Sequence, residues 1–325
     1  MAASNEVLVQ VIDTPPYGDV LAGLPQLKFL QPRVNRDFIM DCFGGRTRRS
    51  FLHLTQEALS SHSFGDVAEL FAPSFSEDFF DWLDLIDATG TATEPFCMVE
   101  LGAGFGRWLV HGANLCKLLG RPLGLLVACE AEPTHFSWID THFRDNNIDP
   151  SAHRRMESAV TGQKGRVPFY VGAASSWYGQ SIAQNLIDSG APRRQSIWTK
   201  LRVLLGRERP MDRVRDVESV SLEDVLSGLQ AVDLIHVDVQ GAEFEVFAES
   251  MKIVNERIRL AHIATHAPFV EAAKGRDMDA LIHQVFSAHG WIERTRVKPA
   301  EEITISGRTI KFVDGVQSWR NPRLP

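Results

Sequence analysis

The chain has 325 residues, 44% of them apolar and 23% charged, enough for one large domain or two around a substantial core. Its net charge of −7 argues against a dedicated nucleic-acid binder, which carries a basic excess. No uncharged apolar run reaches the roughly 18 residues that a membrane-spanning helix needs.

The start, Met1-Ala-Ala-Ser-Asn-Glu-Val7, lacks the basic-then-apolar order of a signal peptide. Cys42, Cys97, Cys116 and Cys129 show no C-x-x-C spacing and sit mostly in apolar runs, so buried thiols in a cytoplasmic protein are expected. Residues 1 to about 90 read as an N-terminal extension without recognisable chemistry, punctuated by Pro15-Pro16, Pro25 and Pro32. Toward its end Phe79, Phe80, Trp82, Leu83, Leu85 and Ile86 alternate with acids, and Ser76-Glu77-Asp78 offers a helix start for a segment running to Asp87. An aromatic core stripe is one reading of that segment; a cap over a ligand or a dimer contact is the other.

From Phe96 onward apolar runs and helical patterns alternate, which predicts a parallel sheet covered on both faces over 91–325. In order, the expected elements are strand Phe96–Leu101, helix Arg107–Leu119, strand Leu123–Cys129, helix Thr134–Asp145, and strands His153–Val160 and Val167–Val171. A basic insertion near 173–216 follows. Then come strand Val232–Asp238, helix Ala242–Met251, strand Arg259–Thr265, helix Met278–His289, and a final pair of strands at Trp291–Val297 and Thr309–Val313.

The first of these strands ends in Glu100 and runs into Gly102-Ala-Gly-Phe-Gly106. Glycines at such a turn let the backbone approach a ligand and adopt φ values that a side chain disfavours. The dinucleotide fingerprint G-x-G-x-x-G would need its third glycine at 107, where the chain has Arg107. An acid just before the glycines suits a cationic ligand better than a pyrophosphate. The loop resembles the first motif of S-adenosylmethionine-dependent methyltransferases. Glu130, 24 residues past Gly106 at the end of the second strand, is placed to accept from both ribose hydroxyls, with Glu132 as its rival.

Taken together, Val99-Glu-Leu-Gly-Ala-Gly-Phe-Gly106, Ala128-Cys-Glu-Ala-Glu-Pro133, Glu157-Ser-Ala-Val160 and Ile235-His-Val-Asp-Val-Gln-Gly-Ala-Glu243 resemble the FkbM-type methyltransferase family over roughly 96–297. The family's signature resembles I-K-x-D-x-E-G-x-E; here Asp238, Gly241 and Glu243 are kept, while His236 replaces lysine and Gln240 replaces glutamate. The resemblance implies a class I methyltransferase fold, a Rossmann-like α/β architecture of seven mostly parallel strands with a reversed last strand. It also implies S-adenosyl-L-methionine as cofactor, S-adenosyl-L-homocysteine as product, and O-methylation of a sugar, glycan or secondary metabolite. By the same resemblance Glu100, Gly102, Ala103, Gly104 and Gly106 cradle the methionine part and Glu130 with Ala131 holds the ribose. Glu157, Ser158 and Ala159 flank the adenine, and Asp238 lies between the cofactor amine and the substrate.

Methyl transfer to an alcohol needs an aligned oxygen and a route for its proton. His236, Asp238 and His266 fall at strand ends, and alternation puts His236 and Asp238 on one face. His266, with an ordinary imidazole pKa near about 6.5, is the expected general base. Asp238 with His266 is also a two-ligand candidate for a divalent metal, too few ligands to be the favoured reading. Ser176, Trp177, Tyr178 and Gln180 offer hydroxyls, an amide and aromatic faces to a sugar-like acceptor.

Arg193 to Asp216 carries eight basic and three acidic residues. It reads as a solvated amphipathic face, a lid for an anionic acceptor, or a contact with a membrane or lipid-linked acceptor. The expected partner is a small-molecule or glycan acceptor and not nucleic acid, with a homo-oligomer left open. N-methylation, methylation of a macromolecule and a non-catalytic cofactor-binding role are the alternatives.

Overall fold

The computed structural model describes residues 33–34, 36–41, 43–52, 77–171, 181–182, 214–266, 277–305 and 308–325. A three-stranded antiparallel meander, β1 (Arg33–Val34), β2 (Phe38–Met40) and β3 (Arg46–Arg48), precedes helix α1 (Phe79–Thr91). Then follow β4 (Phe96–Leu101), α2 (Arg107–Leu119), β5 (Leu123–Glu130), α3 (Pro133–Asp145), β6 (Arg154–Glu157), β7 (Ala159–Val160), β8 (Gly165–Tyr170) and β9 (Ser181–Ile182). The remainder is β10 (Val214–Val220), α4 (Leu222–Leu226), β11 (Val232–Val237), α5 (Glu243–Ala248), α6 (Met251–Arg257), β12 (Ile258–Thr265), α7 (Met278–Ala288), β13 (Ile292–Val297), β14 (Glu302–Ile305), β15 (Arg308–Lys311) and β16 (Gly315–Arg320).

Seven strands form the central sheet in the order β13-β16-β12-β11-β4-β5-β6. Only β16 runs against its neighbours, pairing antiparallel with both β12 and β13. This is the class I methyltransferase-like sheet, with β4 central and the chain's first crossover leading outward to β5. Every residue of β4 is buried, as expected for a strand covered on both faces. Its alternation divides the core. Phe96 and Met98 join Trp82, Leu85, Leu109 and Leu126 beneath α1 and α2. Cys97, Val99 and Leu101 join Val127, Ile235, Phe247, Phe286 and Trp319 on the other side.

Two expectations need correction. The sequence places the closing strand at Thr309–Val313, but β15 pairs only with β14 in a separate hairpin, and the sheet is completed by β16. That strand hides polar side chains, with Gln317 and Ser318 fully buried, so it lacks the apolar run that marks its neighbours. The helix expected over 242–251 is two short helices, α5 and α6, meeting at Glu249–Ser250. A further strand, β10, lies at the end of the basic insertion and pairs antiparallel with β8 in a four-stranded sheet of order β7-β10-β8-β9.

The extension is no separate unit where it is described. Phe51 stacks on Trp138 of α3 at 4.9 Å, Arg48 pairs with Asp145 at 2.5 Å, and Asp41 meets His111 of α2 at 2.8 Å. Helix α1 fills the aromatic-stripe reading, with Phe79, Phe80, Trp82, Leu83, Leu85 and Ile86 all buried. Among the described residues no helix is long and apolar enough to cross a membrane.

Buried acids follow the same helix. Asp84 takes hydrogen bonds from Ser318 Oγ of β16 at 2.8 Å and lies 2.7 Å from His262 Nδ1 of β12 and 3.1 Å from Arg294 of β13, while Asp87 pairs with Arg294 as well. Removing one member of such a buried charge network leaves the others uncompensated. Asp84→Ala is therefore expected to lower the unfolding free energy by about 3–5 kcal/mol, read as a fall in the denaturant midpoint by circular dichroism.

Candidate functional site

A cavity of about 450 Å³ opens at the carboxyl ends of β4, β5 and β11, where ligands meet an open α/β sheet. Its floor is the turn between β4 and α2. Gly102, Gly104 and Gly106 have φ of +76°, +54° and +74°. A Cβ on Gly102 would lie 1.9 Å from the backbone oxygen of Asp238, so β4 and β11 approach too closely there for any side chain. Glu100 lies behind the turn, 2% exposed, near the first amides of α2 at Trp108 and Leu109, and burial pushes its carboxyl up to about 8.

Glu130 and Glu132 divide their work. Glu132 is the N-cap of α3, accepting from the His135 amide at 2.6 Å. Glu130 lines the cavity; its Oε2 accepts from the Gly104 amide and its Oε1 from the Glu132 amide, each at 2.7 Å. Burial outweighs those bonds and pushes the Glu130 carboxyl up to about 7. Gly102, Ala103, Gly104, Ala131, Ser158, Ala159 and Asp238 also line the cavity, beside apolar Phe169 and Ile182. Gly106 caps α2 instead, and Glu157 is exposed at the end of β6, outside the lining. Glu157 as an adenine contact is therefore corrected: the strand's alternation turns it outward and brings Ser158 in.

The kept signature residues form a chain. Gly241 donates its amide to Glu243 Oε1, which lies 2.8 Å from His266 Nδ1; His266 Nε2 lies 3.1 Å from Asp238 Oδ1. Burial alone would lower the His266 pKa, but the charges of Glu243 and Asp238 outweigh it and hold it well above the ordinary value. Burial likewise acts to raise Asp238, and the His266 contact brings it below the usual carboxylate range. Gln240 Nε2, which donates to Asp238 Oδ1 at 2.9 Å, lies 2.6 Å from the same His266 Nε2, so the ring is held between Glu243 on one side and the Asp238–Gln240 pair on the other. His266 positions Asp238.

His236 stands elsewhere. In register across the sheet, Glu100, His236, His262 and Ser318 are neighbours on β4, β11, β12 and β16, all facing α1. His236 Nε2 lies 2.7 Å from Asp81 Oδ1, and His262 Nε2 lies 3.2 Å from the same oxygen. The two rings stack with a 2° interplanar angle and centroids 5.1 Å apart. Burial raises the Asp81 pKa, but the His262 charge and the His236 hydrogen bond outweigh it, so the carboxyl stays ionised. Asp81 and His236 both line the cavity.

Sequence reasoning missed Asp81 and His262. The available signal was the three-residue spacing of Asp78, Asp81, Asp84 and Asp87 on a helix otherwise rich in apolar residues. Ser176, Trp177, Tyr178 and Gln180 lie outside the described residues, as does the basic insertion up to 213 apart from Ser181–Ile182.

Loss of His266 would leave Glu243, which is fully buried, without its cation. His266→Ala is expected to cost about 3–5 kcal/mol of stability. Because the folded pKa lies above the ordinary imidazole value of about 6.5, the stabilisation is complete below that pH and fades as pH rises through the folded value. Urea unfolding of wild type and His266→Ala across neutral to alkaline pH checks both, the difference between them shrinking toward high pH.

A sequence profile of the methyltransferase FkbM domain matches residues 100–291, more than half of the chain. A protein of Jannaschia sp. (strain CCS1) described as "Putative methyltransferase" is 21% identical over 251 residues, covering 76% of this chain and 80% of that protein. Among solved structures, the FkbM methyltransferase from Methylobacillus flagellatus KT aligns over 69% of this chain and 43% of its own, at 12% identity and a TM-score of 0.40. TrmK of M. capricolum, in complex with S-adenosyl-homocysteine, aligns over 74% of this chain and 68% of its own, at 7% identity and a TM-score of 0.36. With the class I sheet, the glycine turn and the matched profile in place, the chain belongs to the FkbM methyltransferase domain family, S-adenosylmethionine-dependent methyltransferases.

Proposed function

We propose that the protein transfers a methyl group from S-adenosylmethionine to a hydroxyl oxygen of a small-molecule or glycan acceptor. The observation that carries this reading is the Asp81–His236 pair, a carboxylate–imidazole contact of 2.7 Å in the wall of the cavity that also contains Glu100, Glu130 and Asp238. The donor set suits the cofactor: Phe169, Ile182 and Ala159 give a base an apolar slot, Glu130 takes ribose hydroxyls, and the ionised Asp238 faces a cationic amino group. When bound, S-adenosylmethionine supplies an electrophilic methyl group on a good leaving group.

The chain's own residues do the rest. The glycine turn and Glu130 fix the floor against which a ligand is oriented, and His266 holds Asp238 in place. An acceptor hydroxyl brought to Asp81 and His236 meets an ionised carboxylate and an imidazole, and its proton leaves at that end. Nitrogen acceptors need no such pair, since an amine that is already deprotonated attacks unaided.

His236→Ala is expected to lower kcat by about 10²–10⁴ with S-adenosylhomocysteine affinity unchanged. The assay is tritiated methyl transfer to a panel of hydroxylated acceptors with calorimetry alongside; an unchanged rate, or a product methylated on nitrogen, overturns the hydroxyl reading. A second outcome follows from Glu130. Burial pushes its carboxyl up to about 7, while ribose hydroxyls bind the ionised form. Cofactor-product affinity is therefore expected to fall by up to about tenfold per pH unit below that value. Proton release on binding should appear in calorimetry with buffers of different ionisation enthalpy, and Glu130→Gln should abolish the pH dependence.

A further inference from the structure

His262 presents an unusual accounting problem. Its Nδ1 lies 2.7 Å from Asp84 Oδ2, and its Nε2 lies 3.2 Å from Asp81 Oδ1. If neutral, the ring has one N–H, and bonding to Asp84 consumes it. A lone pair on Nε2 would then face a lone pair on Asp81, so that gap must hold a positive charge. His236 Nε2 approaches the same Asp81 oxygen at 2.7 Å, and its Nδ1 has no hydrogen-bond partner, so nothing pins the proton to one nitrogen of that ring. Three ligand atoms thus converge, all within 4.8 Å of one another.

A proton on His262 is one way to supply the charge. A metal ion is the other, and the geometry favours a site built for it. Bonds of about 2.0–2.2 Å put adjacent ligand atoms about 3.0–3.4 Å apart; the His262–Asp81 separation of 3.2 Å already lies in that range, and the His236–Asp81 separation of 2.7 Å has to open by a few tenths of an ångström to admit an ion. The Asp84 contact is the carboxylate–histidine support that fixes a ligating ring's tautomer. Asp84 is itself held by Ser318 and Arg294, so the support is rigid. The two rings stack, and of the three ligands Asp81 and His236 border the cavity, so the site is reached from there. The Asp238–His266 pair has no such opening, since Glu243 and Asp238 engage both nitrogens of His266.

We propose that Asp81, His236 and His262 bind one divalent first-row transition ion, such as zinc, manganese or cobalt, at the inner wall of the cavity. Two imidazoles select such an ion over magnesium or calcium, which prefer oxygen ligands. Two histidines and one carboxylate leave coordination positions open. Resting on the proposed hydroxyl acceptor, those positions take its oxygen and promote loss of its proton. Ion binding itself is a simple exchange: the metal takes Nε2 of both rings and Asp81 Oδ1, and any proton held on those Nε2 atoms leaves to solvent.

The test uses the full chain, stripped with a chelator and desalted, then titrated with Co²⁺ and separately with Zn²⁺. One equivalent of metal should survive desalting, Co²⁺ should give the visible absorption of a histidine–carboxylate site, and calorimetry in two buffers should show proton release. Asp84→Asn should weaken binding by about 10–100-fold. Asp81→Asn and His236→Gln should weaken it further, while Asp238→Asn leaves it unchanged. Circular dichroism confirms that each variant is folded, and S-adenosylhomocysteine binding confirms it further for the Asp81, Asp84 and His236 variants.

Substoichiometric metal in the wild type, a cobalt spectrum that survives in both Asp81→Asn and His236→Gln, or one that is lost in Asp238→Asn overturns the site. Metal binding without S-adenosylhomocysteine binding would sink the methyl-transfer reading and leave the metal site standing; the reverse pattern would sink only the metal.

Discussion

The structure depends on how one helix meets one row of the sheet. Helix α1 lays Asp81 and Asp84 against His236 and His262, which stand side by side on β11 and β12. A buried carboxylate is costly unless it is paired, and a buried imidazolium equally so. Here the charge on His262 offsets that of the acids beside it, and the pairing specifies where α1 must sit along the strands. An all-apolar interface would tolerate sliding by a turn; the acids at three-residue spacing do not. Arg294 on β13 extends the constraint to the sheet's far edge through Asp84 and Asp87.

That docking brings the extension into the site. Leu52, Asp78 and Asp81 border the same cavity as the glycine turn and the ends of β4, β5 and β11. The division between an extension and a catalytic domain is thus one of sequence pattern, not of packing. What surrounds the cavity comes from segments far apart in the chain, joined where the parallel strands end.

The half of the chain built from buried parallel strands was legible because such strands are continuous apolar runs closed by glycines or acids. Phe96–Leu101 and Arg107–Leu119 emerge with the bounds that their composition announces, and the end of β5 singles out Glu130. Legibility failed where tertiary contacts decide. Gln317 is buried because it donates to Asp279, and Ser318 because it donates to Asp84; neither partner is visible from β16 alone. His266 reads as a free base until Glu243, 23 residues earlier, is found against its other nitrogen. The importance of Asp81 is set by histidines more than 150 residues away.

Glu130 carries one more consequence. An ionised carboxylate has about four acceptor positions across its two oxygens, and the Gly104 and Glu132 amides occupy one on each. The Ala131 amide is a third backbone donor to the same carboxyl, so about one position is left for a ligand. The loops that shape this acid thus spend most of its accepting capacity on the chain itself, and a ligand that offers it no donor would leave the last buried position dry.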